Sequence, residues 1–312
     1  MKRPEDLLSI SDIADGLPAL LARAETLKRL RARGRSPTPL KGRSVAMIFE
    51  KSSTRTRTSF EVGIHDLGGE ALFLSAKDLQ LGRGETIADT ARVLSRYVDG
   101  LVYRAYRHSD EVELARWASV PVINALDDLE HPCQIVADLL TMRERWKGKF
   151  RGRRLAWIGD GNNVLHSLLL GAAAVGLDLV AATPEAYAPR PEIVTAARAL
   201  ARASGAALEL VHDPAAAARG ADALYTDVWV SMGDEAEAAQ RQTAFRGFQI
   251  NTRLLQTAAP GAFVLHDLPA HRGEEITDDV LDGPRAAVWD QAENRLHAQK
   301  ALLELLLPRP RR

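Results

Sequence analysis

Arginines and hydroxyl groups are concentrated in one short segment between two partly apolar runs. The segment is Ser53-Thr54-Arg55-Thr56-Arg57, with "SVAMIFE" (44–50) before it and "SFEVGIHDLGG" (59–69) after it. The apolar pattern predicts a strand followed by a helix, so the segment lies at the N-terminus of that helix. Unpaired backbone N–H groups, hydroxyls and guanidinium groups at such a place favour a bound phosphate. The alternative interpretation is an ordinary N-cap followed by surface arginines.

Two further predicted strand ends carry side chains that suit a carbonyl group. Arg104 follows one apolar run, and His131 and Gln134 follow the next. If these strands are neighbours in one sheet, their carboxyl ends converge on a single crevice. Arginine and histidine can polarise a carbonyl oxygen, and glutamine can accept a hydrogen bond from an amide NH2. Taken alone, His131 could equally be a capping or packing histidine, and Cys133 is predicted to be a buried, inert residue.

The second half of the chain contains part of a dinucleotide-binding fingerprint. "RLAWIGDGNN" places Gly159 and Gly161 directly after a predicted strand. Val164 occupies the third glycine position, and "LDLVAAT" (177–183) ends without the acidic residue that would hold a ribose. The fingerprint is therefore incomplete, and a dehydrogenase is an alternative that a nicotinamide-binding test would exclude.

Short apolar runs alternate with longer amphipathic runs along the whole chain. The predicted strands are 44–50, 70–75, 100–105, 120–126, 153–159, 177–183, 208–212, 223–228 and 262–268. Strands that alternate with helices imply right-handed crossovers and a parallel sheet in each half. We therefore predict an α/β fold with two domains, each with a central parallel sheet flanked by helices, and a Rossmann-like second domain.

The predicted domain boundary lies near Gly148. The segment 134–154 predicts a helix, then a basic link that contains glycine, then a new strand. We assign residues 1–147 to the first domain and residues 148–291 to the second. The helix predicted at 292–307 is too apolar to stand alone, so we expect residues 292–312 to pack back on the first domain.

Composition narrows the function classes. The 312 residues include 41 Lys and Arg and 41 Asp and Glu, and this balance argues against nucleic acid as a partner. One cysteine excludes an internal disulfide and is typical of a reducing compartment. The sequence shows no signal-peptide core, no membrane-spanning apolar run, no His-x-x-x-His pair and no cysteine cluster. We expect a cytoplasmic protein with no membrane partner, no metal and no organic cofactor.

Several separate motifs resemble the carbamoyl-phosphate site of the aspartate/ornithine carbamoyltransferase family. They are the segment 53–57, Arg104 and His131-Pro132-Cys133-Gln134, and they occur in the family's order. The resemblance implies a carbamoyl-phosphate site in the first domain made of Ser53, Thr54, Arg55, Thr56, Gln80, Arg104, His131, Gln134 and Arg295. It also implies a homotrimer, because the loop similar to "QLGRGET" (80–86) reaches a neighbouring subunit's site through Gln80.

The second half resembles the ornithine branch of that family. Asp-x-Trp-x-Ser-Met-Gly begins at Asp227, where the aspartate branch has a basic motif. Arginine there would pair with a carboxylate substrate, whereas Asp227 suits an ammonium group. The resemblance implies an ornithine site in the second domain made of Asn163, Asp227, Ser231, Met232, Asp267 and Leu268.

One position departs from the family pattern. Ornithine enzymes carry His-Cys-Leu-Pro, and this chain has His266-Asp267-Leu268-Pro269. The Leu-Pro peptide bond is expected to be cis, as in the family. A carboxylate beside Asp227 would repel it and raise a pKa of the pair. We expect Asp267 to be tolerated; the alternatives are another amine substrate, or a silent homologue that binds carbamoyl phosphate.

The resemblance implies carbamoyl transfer from carbamoyl phosphate to the δ-amine of ornithine, which yields citrulline and phosphate in arginine metabolism. The implied catalytic residues are Arg55, Arg104, His131, Asp227 and Asp267. Arg104, His131 and Thr56 would stabilise the oxyanion, and Arg55 and Arg57 the leaving phosphate. Arg57 could instead be mainly structural. Orientation of both substrates as the domains close would supply further catalysis.

Overall fold

The computed structural model describes residues 5–81, 83–231, 233 and 235–307. Met232, one of the predicted ornithine-site residues, therefore lies outside the described residues. The chain forms two compact units. The first unit runs to Leu140 and resumes at Glu293, and the second spans Thr141–Ala292.

The first unit contains a four-stranded parallel sheet. Its strands are β1 (Ser44–Phe49), β2 (Glu70–Ser75), β3 (Gly100–Arg104) and β4 (Val122–Leu126), in the spatial order β2-β1-β3-β4. The helices that begin in this unit are α1 (Leu17–Ala32), α2 (Thr54–Asp66), α3 (Ile87–Leu94), α4 (His108–Trp117) and α5 (Pro132–Arg145). Strands β1 and β3 are almost entirely apolar and buried, as expected for central strands with both faces covered.

Helix α2 begins and ends where its sequence indicates. Ser53 is the N-cap, and its Oγ accepts a hydrogen bond from the Thr56 backbone N–H at 3.2 Å. Gly68, just beyond the helix, has φ +83°, and a Cβ there would lie 2.8 Å from Thr38 Cβ. Only glycine fits this left-handed turn without displacing a neighbour. The cap and the glycine together fix the segment 53–57 at the carboxyl end of β1.

The second unit contains a five-stranded parallel sheet. Its strands are β5 (Arg154–Ile158), β6 (Asp178–Ala182), β7 (Leu208–Val211), β8 (Ala223–Thr226) and β9 (Phe263–His266), in the order β7-β6-β5-β8-β9. The remaining helices are α6 (Asn163–Val175), α7 (Pro191–Ser204), α8 (Pro214–Ala218), α9 (Ala238–Ala244), α10 (Thr252–Leu255), α11 (Asp278–Leu281) and α12 (Val288–Leu306). Most of α12 belongs to the first unit.

Strand order reverses once in each sheet. From β1 the chain passes to β2 on one side and then to β3 on the other; from β5 it passes to β6 and β7, and then to β8. The crevice beyond the strand ends at such a reversal is where open α/β sheets bind ligands. The predicted α/β fold with two parallel sheets is confirmed. Among the described helices, none has the length and apolar character needed to cross a membrane.

Candidate active site

Three neighbouring strand ends of the first sheet carry the predicted anion-binding side chains. The segment 53–57 follows β1, and Arg104 is the last residue of β3, paired in register with Phe49. His131 lies between β4 and the first residue of α5. Since β1, β3 and β4 are adjacent in the sheet, these residues share one edge, as the sequence predicted.

Arg295 joins two of these elements from α12. Its side chain is buried; Nη2 donates to Thr56 Oγ1 at 2.9 Å, and Nη1 donates to Gln134 Oε1. Gln134 Nε2 in turn donates to Oδ1 of the buried Asp138 at 2.8 Å. The amide of Gln134 therefore has a fixed orientation, and its oxygen keeps one lone pair for a further donor.

His131 is almost fully buried among positive charges. Burial lowers its pKa well below the usual value, and the nearby guanidinium groups of Arg295, Arg104 and Arg55 lower it further. The imidazole is therefore neutral near pH 7. The same three arginines make the edge strongly attractive to an anion.

The other predicted residues of this region differ in placement. Arg57 pairs with Glu61 at 3.0 Å and lies over the Phe73 ring, with its guanidinium carbon 3.5 Å from the ring centroid. This arrangement favours the structural interpretation of Arg57. Thr54 is exposed at the start of α2. Gln80 is also exposed, and its side chain makes no hydrogen bond or ion pair within the described part of the chain.

The second sheet places a buried carboxylate at its own strand reversal. Asp227 follows β8 and is 5% exposed. Asn162 precedes α6, and its Nδ2 donates to Asp227 Oδ2 at 2.8 Å. Burial raises the pKa of Asp227 well above its usual value, and the negative charge of Asp267 raises it further. Asn163, the predicted ligand of the amino-acid portion, is the first residue of α6 and directly follows Asn162 in the chain.

Asp267 and Leu268 lie on a loop whose start is held by hydrogen bonds. The Leu268 N–H donates to His266 Nδ1 at 2.8 Å, so His266 carries its proton on Nε2 and donates it to Glu275 Oε1 at 2.9 Å. His266 and Glu275 are both buried. Leu268 has φ +63°, and the Leu268–Pro269 bond is cis, as expected. The Asp267 carboxylate is partly exposed and is close enough to act on Asp227.

The segment that follows Asp227 is anchored by Arg241. Nη1 of Arg241 donates to Asp160 Oδ2 at 2.7 Å and to the Trp229 carbonyl at 3.2 Å. Ser231, half-buried, lies two residues beyond that carbonyl. These contacts tie the loop after β8 to the loop after β5.

One group of side chains in the described residues could share a metal ion. Ligand atoms of His271, Glu274 and Glu275 all lie within 4.8 Å of one another. However, Glu275 Oε1 already accepts from His266 Nε2 and from the His271 N–H, the latter at 2.5 Å. We therefore assign this group to the hydrogen bonding of the loop.

Comparison with known families matches both halves of the chain. Residues 5–144 match the carbamoyl-P binding domain, and residues 151–306 the Asp/Orn binding domain, of aspartate/ornithine carbamoyltransferase. The chain belongs to the aspartate/ornithine carbamoyltransferase family. The resemblance predicted from the motifs is thereby confirmed.

Curated relatives and solved structures of this carbamoyltransferase family match the chain over nearly its full length. An ornithine carbamoyltransferase of Methanoculleus marisnigri is 57% identical, with 97% of each chain covered. The ornithine carbamoyltransferase structure from Pyrococcus furiosus is 52% identical, has a TM-score of 0.94, and covers 98% of this chain and 97% of its own. The anabolic enzyme of Campylobacter jejuni is 40% identical, with a TM-score of 0.91 and coverages of 97% and 98%.

Several residues that hold this carbamoyltransferase site were not identified from the sequence. They are Asp138, Asn162, Arg241, His266 and Glu275. The sequence does point to Asn162, because "GDGNN" has two consecutive asparagines at a predicted helix start. One of them can be the N-cap, which leaves the other for the substrate. Arg241 and Glu275 carry no such signal.

Cys133, predicted to be inert, is fully buried, and its thiol donates to the Asn124 carbonyl at 3.3 Å.

Proposed function

We propose that this protein transfers the carbamoyl group of carbamoyl phosphate to the δ-amine of L-ornithine, which yields L-citrulline and phosphate. The observation that carries the proposal is the opposite charge of the two strand-reversal sites. Three arginines surround a neutral His131 in the first unit, and buried Asp227 lies beside Asp267 in the second. These charges match a phosphate-bearing donor and an amine-bearing acceptor.

The two predicted domains take separate roles in this proposal. Residues 1–147 with 292–312 bind carbamoyl phosphate, and residues 148–291 bind ornithine. Residues 5–144 match a family domain named for carbamoyl phosphate, and residues 151–306 match one named for aspartate or ornithine, which supports the two roles. The return of the last helix to the first domain is supported by the first compact unit, which resumes at Glu293.

Carbamoyl phosphate binds by charge and by the helix terminus. Its phosphate accepts hydrogen bonds from the N-terminus of α2, from Ser53, Thr54 and Thr56, and from the guanidinium groups of Arg55 and Arg104. His131 and Arg104 donate to the carbonyl oxygen, and they stabilise the negative charge that develops there during attack. Gln134, oriented by Arg295 and Asp138, accepts from the carbamoyl NH2 through its remaining lone pair.

Ornithine binds through its amine and its amino-acid portion. Asp227 and Asp267 hold the δ-amine, and Asn163, Ser231, Met232 and Leu268 contact the remainder. The amine must be neutral to attack, so its ammonium proton passes to a carboxylate. Asp227 suits that role because burial and Asp267 raise its pKa, which makes its carboxylate a stronger proton acceptor. The nitrogen lone pair then forms the C–N bond and the carbon–oxygen bond to phosphate breaks. The leaving phosphate takes the proton that the attacking nitrogen must still lose.

The biological setting follows from the relatives. The Pyrococcus furiosus and Campylobacter jejuni relatives are described as anabolic, which supports a role in arginine biosynthesis for this chain. We also propose a cytoplasmic homotrimer in which the Gln80 loop completes the site of a neighbouring subunit.

A ureido-product assay with carbamoyl phosphate and a panel of amines tests the proposal. The panel contains ornithine, N-acetylornithine, putrescine, lysine and aspartate. We expect turnover of ornithine alone. Turnover of a different amine would make Asp267 a specificity residue, and no turnover with any amine would leave a silent carbamoyl-phosphate binder.

Arg55→Ala supplies the matched test of the donor site. We expect a loss of turnover of at least about 10²-fold, the usual cost of one donor to a developing anion. Arg198→Ala, which removes an exposed arginine on α7, is the control and should leave the rate unchanged. An unchanged rate for Arg55→Ala at saturating carbamoyl phosphate would contradict the assignment.

A further inference from the structure

Asn162 uses both ends of its side-chain amide. Its Oδ1 accepts from the backbone N–H groups of Val164 and Leu165, at 3.0 and 3.2 Å, and so caps α6. Its Nδ2 donates to Asp227 Oδ2 at 2.8 Å. A flipped amide would place NH2 against two N–H groups and oxygen against a carboxylate, so only one orientation fits.

The backbone that carries Asn162 is held in place from several directions. A Cβ on Gly161 would lie 2.4 Å from the Tyr187 carbonyl oxygen and 2.4 Å from Pro189 N, so only glycine permits this close approach. The Gly161 N–H donates to the same Tyr187 oxygen at 2.9 Å, and Asp160 is paired with Arg241. The amide is thus preorganised before any ligand arrives.

The surroundings of Asp227 disfavour a negative charge. Burial has the largest effect, and two further carboxylates, Asp267 and Glu275, both after β9 in the chain, add to it. Hydrogen bonds from the Val228 N–H and from the Asn162 amide oppose these effects and lower the pKa of Asp227. Of these two donors, only Asn162 donates from a side chain, so it is the one that a substitution can remove.

We propose that Asn162 is a positioning residue for the amine site, which aims Asp227 at the substrate amine and favours its ionised form in addition to capping α6. This inference rests on the proposed function. The bond from Nδ2 occupies one carboxylate oxygen and prevents rotation of the group, so the other oxygen keeps a fixed direction. Serine, threonine or aspartate could also cap the helix. Only an amide side chain supplies both the capping acceptor and a donor that reaches Asp227.

Isosteric substitution separates the two roles. Asn162→Asp retains a capping oxygen but places a second oxygen where the donor NH2 stood. Asn251 offers a matched control, since it also caps a helix, through Leu254 N–H at 3.0 Å, and also donates its Nδ2, to the neutral Gln249 Oε1 at 3.3 Å. Asn162→Ser, which keeps a capping oxygen on a shorter side chain, is the milder second variant should Asn162→Asp fold poorly.

Kinetics give the first readout. For both Asn162 variants we expect kcat/KM for ornithine to fall by about 10- to 100-fold at neutral pH, the usual effect of losing a hydrogen bond to a charged group. The acid limb of the pH profile should move to higher pH, because Asp227 then holds its proton more tightly. Asn251→Asp should change neither quantity. A fall in activity with an unmoved acid limb would mean that Asn162 is only a cap, and would overturn the proposal.

Direct titration gives a readout that needs no activity. Carbon-13 NMR of aspartate-labelled free protein, with the Asp227 signal assigned by its loss in Asp227→Asn, reports the Asp227 pKa itself. We expect that pKa to rise in both Asn162 variants and to stay unchanged in Asn251→Asp. If the wild-type protein does not use ornithine, the proposed function fails while this titration still decides the inference. An unchanged Asp227 titration in the Asn162 variants would refute it.

Discussion

At the scale of single residues, an imidazole stays neutral at the centre of a cationic cluster. His131 is buried beside three guanidinium groups, and the protein offers a contrasting histidine, His108, whose Nδ1 lies 2.6 Å from Asp127 Oδ2. That carboxylate raises the pKa of His108. Burial first, and the arginines after it, lower the pKa of His131, whereas the hydrogen bond to Asp127 raises the pKa of His108.

Nitrogen-15 NMR of histidine-labelled protein checks this contrast. We expect the His131 signal to remain that of neutral imidazole between about pH 6 and 8, whereas His108 protonates above its usual pKa of about 6.5. His131→Gln and His108→Gln assign the two signals. Protonation of His131 within that range would show that burial and the arginines do not lower its pKa, and would contradict the assignment of a neutral hydrogen-bond donor.

Asp267 supplies a second prediction at this scale. Asp267→Cys removes a negative charge beside Asp227, so the pKa of Asp227 should fall. An acid with a lower pKa is ionised at lower pH, so the acid limb of kcat/KM for ornithine should move to lower pH. Asp15→Cys, which removes an exposed carboxylate in the first unit, is the control for the added thiol. A shift to higher pH, or none, would mean that Asp267 does not act on Asp227.

Individual site residues could be predicted from the sequence, but the side chains that bond to them could not. Arg104 and His131 could be placed because strand ends of one parallel sheet must meet, and strands are visible as short apolar runs. Asp160 and Arg241 are 81 residues apart, and nothing local to either indicates the ion pair. Arg295 and Gln134 are 161 apart, and only the family resemblance brought Arg295 into the site.

At the scale of elements, the N-terminal cap of α2 serves both folding and binding. Ser53→Ala removes the acceptor for the Thr56 N–H and should cost about 1 kcal/mol of stability. It should also raise KM for carbamoyl phosphate, because the first turn of α2 then loses its fixed position. Thermal unfolding and steady-state kinetics measure the two effects.

Asn251→Ala is the matched control for Ser53→Ala. It removes the cap of α10, which belongs to the second unit. A similar loss of stability is expected there with an unchanged KM for carbamoyl phosphate. Equal changes of that KM in both variants would mean that Ser53 acts only through general stability.

Element boundaries followed the sequence where the apolar pattern was continuous. All nine predicted strands were found with ends within about two residues. Most of them are buried and mainly apolar, whereas the edge strands β2 and β7 are only partly buried and still show a short apolar pattern. Helix α12 begins at Val288, four residues before the predicted start. The sequence pattern missed this first turn because Trp289 and Asp290 are exposed and interrupt the apolar stripe. Helices α8, α10 and α11 have four or five residues each, too few to show a helical period.

At the scale of the whole molecule, the proposed trimer predicts that sites are shared between subunits. Gln80→Ala and Arg55→Ala trimers should each be inactive, since one lacks the loop residue and the other the donor-site arginine. After the two are dissociated together and reassembled, some sites combine an intact Arg55 with an intact neighbouring Gln80. Random mixing gives about a quarter of such sites in a cyclic assembly.

Recovered activity on mixing is the measurement, with light scattering to confirm a mass of three 34.1 kDa chains. Each variant dissociated and reassembled by itself is the control and should remain inactive. Failure to recover activity, with hybrid trimers shown to be present, would mean that Gln80 serves its own subunit.

The buried thiol makes the chain a reporter of its own opening. Cys133 is the one cysteine in the sequence, is fully buried at the start of α5, and has its pKa raised by burial to about 12. A thiol in that state does not react with an alkylating reagent while the fold is intact. Labelling at Cys133 therefore counts the molecules in which α5 has left the sheet. In the mixing experiment, the fraction of Cys133 that stays unlabelled after reassembly gives the fraction of chains that returned to the native fold, without any engineered probe.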